Sequence, residues 1–417
     1  MNLVDKVCVV GLGYIGLPTA SVIASSGTFV HGVDIDSGKL SLINQGISPI
    51  EEPGLQDLIE EAVESQMLVA YEAPDYCDVF LICVPTPSDF QKQPDLKQVY
   101  SACASILPYL RKGNLVVLES TCPVGTTEDL CKWFSSQRKD LSFPGEDVPD
   151  PDVNIAYCPE RAIPGNSINE LINNDRIIGG LSYSCNTKAK LFYKLFSRGE
   201  LITTNSKLAE FSKLVENSYR DVNIAFSNEI SSICEKLGIN QWDLVNIANR
   251  HPRVNILNPG IGVGGHCIPV DPWFLIDQFP QETTLLKQSR VVNDSVPDKV
   301  AQEIQGEIDC FINRHPSNSK PVVTFFGVAY KENVADVRLS PALDICLKIM
   351  EDNKSPMMIV EPNIFDLPPC LEQFDCKLVD LEMGLQSDLL IFLVKHTEFE
   401  QIDNFNTTGK KIFKYKV

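Results

Sequence analysis

Short apolar runs alternate with longer mixed segments along the first half of this chain. The runs are four to seven residues long, bounded by Gly, Pro, Asp or Ser, and typical of buried parallel strands. They occupy residues 6–10, 28–33, 78–84, 114–119, 154–157 and 176–180, and residues 18–25 between the first two fit a helix. This alternation of strand and helix predicts a doubly wound α/β domain over residues 1–200.

A long amphipathic segment follows from Ser206 to Leu237, where apolar residues recur at spacings of three and four. Its 32 residues predict one helix, of about 48 Å at 1.5 Å per residue, suited to joining two domains. Lys213, Asn217 and Arg220 recur at i, i+4 and i+7 and therefore share one face. That face fits either a solvated surface or a ligand site.

The strand pattern returns beyond residue 321, with runs at 322–327, 357–361 and 388–394 and a helix at 341–351. We interpret this region as a degenerate second copy of the first domain. Its turn, Gly327 to Lys331, has lost two glycines and gained a lysine, so a different nucleotide would be held there by a charge. The predicted architecture is α/β, with two Rossmann-like doubly wound domains joined by a long central helix and a helical middle domain. The predicted boundaries are 1–200, 201–305 and 306–417.

Composition narrows the classes of partner and compartment. The chain has 36 basic and 55 acidic residues, a net charge of −19 that disfavours nucleic acid and anionic membranes as partners. Its apolar runs are far shorter than the roughly 20 residues of a membrane-spanning helix. Fourteen cysteines are scattered without a C-x-x-C pair, which predicts neither disulfides nor a metal site but a reducing, cytoplasmic location. Residues 7–23 also fit the apolar part of a secretory signal, but a nucleotide-binding turn explains them better.

That turn is G-x-G-x-x-G, formed by Gly11, Gly13 and Gly16 directly after the first strand. The first glycine permits the tight turn, the second lets backbone approach a pyrophosphate, and the third lets the helix pack on the strand. Asp34 ends the second strand, and a carboxylate there accepts the ribose 2′-hydroxyl and repels a 2′-phosphate. The sequence therefore predicts NAD as the cofactor, in preference to NADP.

Three threonines, Thr86, Thr121 and Thr127, follow the next strands at the edge where ligands of such sheets bind. They fit contacts to cofactor or water, and they fit helix caps equally well.

Cys267 stands apart from the other cysteines because it follows four glycines within residues 260–265. Exposed backbone amides beside a thiol favour a thiolate nucleophile, although a packed cysteine fits the same residues. The adjacent His266 receives no role. With NAD, such a nucleophile permits oxidation of an alcohol to a carbonyl, capture as a thiohemiacetal, and a second oxidation to a thioester that water cleaves.

The chain resembles the UDP-sugar 6-dehydrogenase family from Val7 to about Phe399. The matching motifs are GLGYIGLPTA from Gly11, PIEEPGL from Pro49, ESTCPVGTT from Glu119, YCPERAIPGN from Tyr157, KLVENSYRDVNIAFSNE from Lys213, GVGGHCIPVDPWF from Gly262 and GVAYKENVADVR from Gly327. The resemblance implies an N-terminal NAD domain, a connecting helix, a C-terminal UDP-binding domain and a homodimer formed through the central helical region.

The resemblance also assigns roles. Cys267 would be the nucleophile, Lys213 the acid/base or oxyanion partner, and Asn217 a second oxyanion donor. Asp271 would orient Lys213 or a water, and Glu160 with Thr121 would position the hydrolytic water. The implied NAD contacts are Tyr14, Ile15, Asp34, Thr86, Thr127 and Arg338, beside the three glycines. The implied UDP-sugar contacts are Arg161, Ala162, Lys213, Asn217, Arg220, Gly264, Tyr330 and Lys331.

Departures from the sequence pattern of the glucose-specific enzymes narrow the range of possible substrates. Those enzymes have C-F-P-K-D where this chain has C-I-P-V-D from Cys267, and an aromatic residue where it has Arg161. The form GGHCIPxDP is similar to the N-acetylhexosamine branch, and the run NRHPRVN from Asn249 points within it to UDP-N-acetyl-D-mannosamine. His251 and Arg253 would then act in the neighbouring subunit's site, unless they are helix-end cations.

The implied reaction is a four-electron oxidation to the uronic acid, for a bacterial surface polysaccharide such as enterobacterial common antigen or O-antigen. Three alternatives stay open. In the first, the substrate would be the N-acetylglucosamine epimer. In the second, the reaction would be a two-electron NAD alcohol oxidation, and in the third the protein would be an NAD-sensing binding module.

Overall fold

The computed structural model describes residues 4–89, 91–145, 148, 150–314, 320–352, 355–404 and 411–414. The chain folds as two compact units, one of residues 1–216 with 273–278 and the other of residues 217–272 with 279–417. The division into three domains at residues 200 and 305 stays a prediction. Among the described residues, no helix is both long and apolar enough to cross a bilayer.

The first unit contains eight strands. They are β1 (Lys6–Val10), β2 (Phe29–Val33), β3 (Leu68–Tyr71), β4 (Val79–Ile82), β5 (Leu115–Leu118), β6 (Asn154–Tyr157), β7 (Arg176–Gly180) and β8 (Leu201–Asn205). Its helices are α1 (Gly16–Ser25), α2 (Ser37–Asn44), α3 (Leu55–Glu64), α4 (Lys97–Ile106), α5 (Thr126–Gln137), α6 (Ser167–Asn173) and α7 (Tyr183–Tyr193), with a 3₁₀ turn at Leu107–Tyr109.

These strands form one sheet in the order β3-β2-β1-β4-β5-β6-β7-β8. Neighbouring strands are parallel, except that β7 runs antiparallel to β6. Successive side chains of a strand point to opposite faces, so Val7 and Val9 join one apolar cluster while Cys8 and Val10 join another. Both faces of the central strands are therefore buried, as predicted from their continuous apolar runs.

Helix α8 (Ser206–Leu237) begins in the first unit and continues into the second, and α10 (Asp271–Gln278) is divided likewise. The second unit also contains α9 (Gln241–Ala248), α11 (Thr284–Asp294), α12 (Val296–Arg314), α13 (Pro341–Asp352) and α14 (Leu381–Gly384), with 3₁₀ turns at Pro369–Leu371 and Thr397–Asn404. Its strands are β9 (Val323–Phe326), β10 (Met357–Val360), β11 (Cys376–Leu378), β12 (Leu389–Phe392) and β13 (Lys411–Lys414).

The second sheet has the order β11-β10-β9-β12-β13, with all neighbours parallel. The central strand β9 is fully buried, and helices α12 and α13 contribute to the same apolar cluster. The predicted class, α/β with two Rossmann-like domains and a helical segment between them in the chain, is confirmed.

Candidate functional site

The β1–α1 turn has the geometry expected of a pyrophosphate-binding turn. Gly11 has φ of +94°, and a Cβ there would lie 2.7 Å from the carbonyl oxygen of Cys83. A Cβ on Gly16 would lie 1.8 Å from the carbonyl oxygen of Gly11, so only glycine permits this packing. A Cβ on Gly13 would meet no atom within 4 Å. Open space at Gly13 beside the start of α1 fits the approach of a dinucleotide phosphate.

Asp34 follows β2 and is tied to the same turn. Its Oδ2 accepts hydrogen bonds from the Leu12 amide (2.9 Å) and Lys39 Nζ (3.0 Å), and its Oδ1 accepts from the Asp36 amide (3.0 Å). Burial alone would raise the pKa of Asp34, but the Asp36 amide, Lys39 and the Leu12 amide outweigh it and hold the pKa below its usual value. Asp34 is therefore an ionised acceptor, as an NAD ribose requires. Sequence reasoning missed Lys39, five residues further on.

The predicted cofactor contacts differ in exposure. Tyr14 and Ile15 are exposed on the β1–α1 turn, and Thr86 and Thr121 are half-buried. Thr127 is fully buried, and its hydroxyl donates to Glu210 Oε1 at 2.6 Å. Thr127 thus lies within the first turn of α5 and is not its cap, because the N-cap position is Gly125.

Glu210 of α8 is the acceptor at the start of α5. Its Oε2 accepts from the Gly125 amide at 2.6 Å and its Oε1 accepts from the Thr127 amide at 2.8 Å. The first amides of a helix have no partner within the helix, so this carboxylate supplies one. Sequence reasoning missed Glu210, although its place three residues before Lys213 puts both on one face of α8.

Glu160 lies in the loop after β6 and is 7% exposed, and both of its carboxylate oxygens and its backbone carbonyl accept hydrogen bonds. Its Oε1 accepts from the amides of Arg161 and Ala162, each at 2.6 Å, and its Oε2 accepts from Arg176 Nη2 at 3.3 Å. Its backbone carbonyl accepts a hydrogen bond of 2.7 Å from Lys213 Nζ. The structure therefore brings together two of the predicted catalytic side chains, Glu160 and Lys213, in the first unit.

A second buried carboxylate lies beside this group. Glu119 directly follows β5, accepts from Tyr193 Oη (2.6 Å) and Cys83 Sγ (3.2 Å), and lies 4.0 Å from Arg176 Nη1. Burial raises the pKa of Glu119 above its usual value, and the charge of Arg176 opposes that rise. Arg176, at the start of β7, thus serves two carboxylates. A charged residue at the start of a buried strand is the sequence signal that could have identified it.

Arg161, a predicted substrate contact, is held by α8. Its Nε and Nη2 donate to the two carboxylate oxygens of Glu216 at 3.0 and 2.9 Å, and its Nη1 donates to the Asp175 carbonyl at 3.1 Å. This two-point contact fixes the guanidinium plane. Ala162 beside it is half-buried.

In the second unit, Asn217 and Asp271 form a buried pair. Asn217 Nδ2 donates to Asp271 Oδ2 at 2.6 Å, and the two residues are 6% and 2% exposed. The backbone amide of Asp271 donates to the Cys267 carbonyl at 2.9 Å, which places the cysteine one turn before α10. Arg220, by contrast, is exposed.

The cysteines separate clearly by exposure. Eleven of the fourteen are buried, Cys310 is intermediate, and Cys267 and Cys370 are exposed. This distinguishes Cys267 from the packed thiols that sequence alone left as its alternative.

The glycine loop before Cys267 packs on the segment after β9. A Cβ on Gly264 would lie 2.8 Å from the Leu339 carbonyl oxygen, and one on Gly265 would lie 2.9 Å from the Tyr330 ring. At the start of the loop, the Gly260 amide donates to Asn228 Oδ1 at 2.9 Å. Close packing at Gly264 and Gly265 explains why these two positions require glycine.

Asp336 links the two segments. His266 Nε2 lies 3.5 Å from Asp336 Oδ2, and Arg338 donates through Nη2 to Oδ2 (2.8 Å) and through Nε to Oδ1 (2.9 Å). His266 received no role from sequence. Because it directly precedes Cys267, its contact with Asp336 connects the glycine loop to the segment that contains the predicted contacts Tyr330, Lys331 and Arg338. Lys331 is exposed and Tyr330 half-buried.

The acid after β10 shows how the second nucleotide-binding turn differs from the first. Glu361 Oε2 accepts from the amides of Val328 (2.8 Å) and Ala329 (2.9 Å) and from His396 Nε2 (3.0 Å). The Asn333 amide donates to His396 Nδ1, so the ring proton lies on Nε2. With Glu361 and His396 both buried, this acid stabilises its turn rather than facing a ribose.

His251 and Arg253 are exposed beyond the C-terminus of α9. Within the part of the chain that the structure describes, no three His, Cys, Asp or Glu side chains are grouped as metal ligands.

Three models of the UDP-glucose/GDP-mannose dehydrogenase family match the chain. They are its NAD binding domain over residues 5–197, its central domain over 207–295 and its UDP binding domain over 324–416.

Known proteins similar to the chain match it over nearly its full length. A UDP-N-acetyl-D-mannosamine dehydrogenase of Campylobacter jejuni is 48% identical over 97% of this chain and 98% of its own. An NDP-N-acetyl-D-galactosaminuronic acid dehydrogenase of Ralstonia nicotianae is 46% identical over 95% of this chain and 92% of its own. The solved structure of a UDP-D-ManNAc dehydrogenase from Pyrococcus horikoshii has a TM-score of 0.87 at 34% identity, covering 98% of this chain and 93% of its own.

Proposed function

Because the chain belongs to the UDP-glucose/GDP-mannose dehydrogenase family, we propose that it oxidises UDP-N-acetyl-D-mannosamine to UDP-N-acetyl-D-mannosaminuronate. The resemblance to UDP-sugar 6-dehydrogenases is thereby confirmed, and so is NAD as cofactor, because the NAD binding domain model matches residues 5–197. The product would serve the biosynthesis of a bacterial surface polysaccharide.

The observation that carries the proposal is the exposure of Cys267 one turn before α10, directly after a loop that packs closely at its glycines. A two-electron alcohol dehydrogenase has no use for an exposed thiol in such a loop. A nucleophile there supports a four-electron oxidation, in which the carbonyl is retained as a thiohemiacetal and then as a thioester. An NAD-sensing module would likewise have no use for it.

NAD supplies the hydride acceptor, once for each of the two oxidations. In this chain the turn at Gly11, Gly13 and Gly16 would hold the pyrophosphate, and Asp34 would accept the adenosine ribose hydroxyl. Open space at Gly13 and the ionised state of Asp34 support this fit. Tyr14, Ile15, Thr86, Thr127 and Arg338 remain the further proposed contacts.

The remaining catalytic roles follow the family assignment. Lys213 would move the alcohol proton and, with Asn217, would stabilise the oxyanion that forms on the carbonyl oxygen. Asp271 accepts a hydrogen bond from the side-chain amide of Asn217 and would thereby fix the orientation of that amide. Glu160 and Thr121 would position the water that cleaves the thioester.

The proposed substrate contacts are Arg161, Ala162, Arg220, Gly264, Tyr330 and Lys331. The contacts of Arg161 with Glu216 and with the Asp175 carbonyl hold its guanidinium in one orientation, which supports a fixed hydrogen-bond donor at this position. The relative from Ralstonia nicotianae favours a second candidate substrate, a nucleotide-linked N-acetylgalactosamine. The N-acetylglucosamine epimer remains an alternative.

We further propose a cytoplasmic homodimer formed along α8. Its apolar residues at spacings of three and four include seven that are exposed: Leu208, Phe211, Val215, Tyr219, Phe226, Ile233 and Leu237. A contiguous apolar stripe of this length is typical of a protein interface. His251 and Arg253 would reach the neighbouring subunit's site, and their exposure is compatible with that role.

The test compares two exposed cysteines in the same unit. The Cys267→Ala variant is expected to lose production of the uronate by at least about 10³-fold, since a nucleophile has no substitute. The Cys370→Ala variant is the matched control and should retain wild-type turnover. Chromatography of the sugar nucleotide products measures both, and full uronate production by Cys267→Ala would contradict the covalent mechanism.

A further inference from the structure

We propose that Arg176 is the positioning residue for hydrolysis of the thioester, because it orients the Glu160 carboxylate and links it to the loop that carries Thr121. The inference rests on the proposed function, in which Glu160 and Thr121 position the attacking water. In that step the water oxygen forms a bond to the acyl carbon and water gives one proton to solvent. The carbon–sulfur bond to Cys267 breaks, and the sulfur leaves with the bonding electron pair as a thiolate. No electrons are transferred.

Burial makes Arg176 an unusual residue for a strand. It is 4% exposed, and its Nη2 donates to Glu160 Oε2 at 3.3 Å and to the Leu171 carbonyl at 3.1 Å. A buried cation is costly unless it is paired and hydrogen-bonded. The two carboxylates beside it, Glu160 and Glu119, compensate that cost, and the guanidinium between them offsets their mutual repulsion.

The contacts of Glu160 show what the guanidinium adds. Both backbone amides of the following residues donate to Oε1, which anchors one oxygen but leaves the carboxylate free to turn about it. The contact from Arg176 to Oε2 fixes the second oxygen. A carboxylate with both oxygens fixed has one orientation, and a water bound to it has a defined position.

Arg176 also joins the two loops that carry the hydrolytic residues. Strands β5 and β6 are parallel neighbours, with Leu118 paired to Tyr157, so the loops after them lie side by side. Glu119 opens the first loop two residues before Thr121, and Glu160 lies in the second. With Nη1 4.0 Å from Glu119 and Nη2 3.3 Å from Glu160, one guanidinium spans both loops.

The geometry requires arginine rather than lysine. The guanidinium carbon lies 4.9 Å from the centre of the Tyr193 ring and 5.5 Å from that of Phe196, so aromatic rings hold its plane. Tyr193 in turn donates to Glu119 at 2.6 Å. A lysine would keep the positive charge but has no planar fork to reach two carboxylates. The Arg176→Lys variant therefore keeps the positive charge and loses the simultaneous contact with both carboxylates.

The experiment is single-turnover oxidation of UDP-N-acetyl-D-mannosamine with excess NAD, quenched in acid. Intact-protein mass spectrometry follows the adduct on Cys267, and absorbance follows NADH. For Arg176→Lys we expect an unchanged rate of NADH formation before hydrolysis, hydrolysis slowed by about 10²-fold, and accumulation of the adduct. The control is Arg138→Lys, since Arg138 pairs with Asp140 in the same unit at 2.7 Å; it should behave as wild type.

A merely structural role would give other results. General loosening of the fold would slow NADH formation and hydrolysis together. In a double-mutant cycle, Arg176→Lys should add nothing to Glu160→Gln, because the arginine acts through that carboxylate. If Arg176→Lys does not fold, Glu119→Gln, which removes the link to the Thr121 loop, should accumulate the same adduct.

The two proposals fail differently. Wild-type protein that oxidises none of the UDP-sugars and never carries an adduct would overturn the proposed function. Wild-type turnover together with an Arg176→Lys variant that matches Arg138→Lys would overturn this inference alone.

Discussion

Several carboxylates of this chain accept hydrogen bonds from backbone amides and thereby stabilise its functional turns. Five examples each accept from at least one amide of a loop or helix start: Asp34, Glu52, Glu160, Glu210 and Glu361. A buried amide without an acceptor costs about 1–3 kcal/mol. The acid therefore decides where its loop lies, and its loss should affect that loop first.

Asp336 gives a prediction about acid stability. Burial alone would raise its pKa, but hydrogen bonds from Arg338 and His266 hold the pKa of this carboxyl well below the usual value. A folded pKa below the unfolded value of about 3.9 stabilises the protein above that pH, and the stabilisation is lost as the pH falls further. We expect the wild-type advantage in unfolding free energy over Asp336→Asn that is present at pH 5 to shrink as the pH falls below about 4.

Urea unfolding at a series of pH values measures this difference. The control is Asp375→Asn, at an exposed carboxyl of the same unit. A wild-type advantage over Asp336→Asn that stays constant down to pH 3 would show that the carboxyl has no depressed pKa in the folded protein.

The residues at local turns could be predicted from sequence, and their distant partners could not. Gly11, Gly16 and Asp34 act within one strand–turn–helix unit, so their spacing predicts their geometry. Glu210 caps amides that lie 83 and 85 residues earlier in the chain, a pairing set by the whole fold. The exposure of Cys267 was likewise a property of tertiary packing.

Among the secondary-structure elements, helix α8 does most to organise the first unit. Its first three turns present Glu210 to the start of α5, Lys213 to the Glu160 carbonyl and Glu216 to Arg161. These residues recur at spacings of three, so they lie along one face. The helix thereby fixes two loops of the first unit that carry predicted site residues.

Glu210→Gln tests that account of the helix. The amide keeps the size of the side chain but offers one acceptor oxygen where two are used, so we expect a loss of about 1–2 kcal/mol in unfolding free energy. Hydrogen exchange should accelerate at the Gly125 and Thr127 amides. Glu229→Gln, at an exposed position of the same helix, is the control. Equal exchange at residues 125–127 in the two variants would contradict capping by Glu210.

Among the strands, those at the sheet edges were not predicted. β1, β6, β7 and α8 begin and end as predicted. The edge strands are β3, β8, β11 and β13. An edge strand can be polar on the side it does not bury, and β8 and β13 accordingly have mostly exposed or half-buried residues and no continuous apolar run. β3 is different, because its four residues are apolar and the sequence analysis passed over the run.

At the scale of the whole molecule, two units repeat one plan with different nucleotide turns. In the first unit, Asp34 follows β2 and remains partly exposed beside the open glycine turn, where it can accept a ribose hydroxyl. In the second, the corresponding Glu361 is buried with His396. Sequence identified the repeat and the acids, but burial of Glu361 depends on His396, 35 residues further on.

Mixed dimers test the proposed exchange of residues between subunits. Arg253→Ala and Cys267→Ala homodimers are each expected to be inactive or severely impaired. If Arg253 acts in the neighbouring site, a mixed dimer has one intact site of two, so mixed dimers purified free of both homodimers should have about half of wild-type activity. Activity of differently tagged, co-purified dimers measures this. No gain over the homodimers would place Arg253 in its own subunit's site or outside the site altogether.

The most direct measurement of the central claim is the amount of NADH formed per mole of UDP-N-acetyl-D-mannosamine consumed, with the N-acetylglucosamine and N-acetylgalactosamine nucleotides run in parallel. The account predicts two NADH per substrate and the uronate as product, with the mannosamine nucleotide preferred. One NADH per substrate with release of free aldehyde, or no oxidation of any of the three, would contradict it.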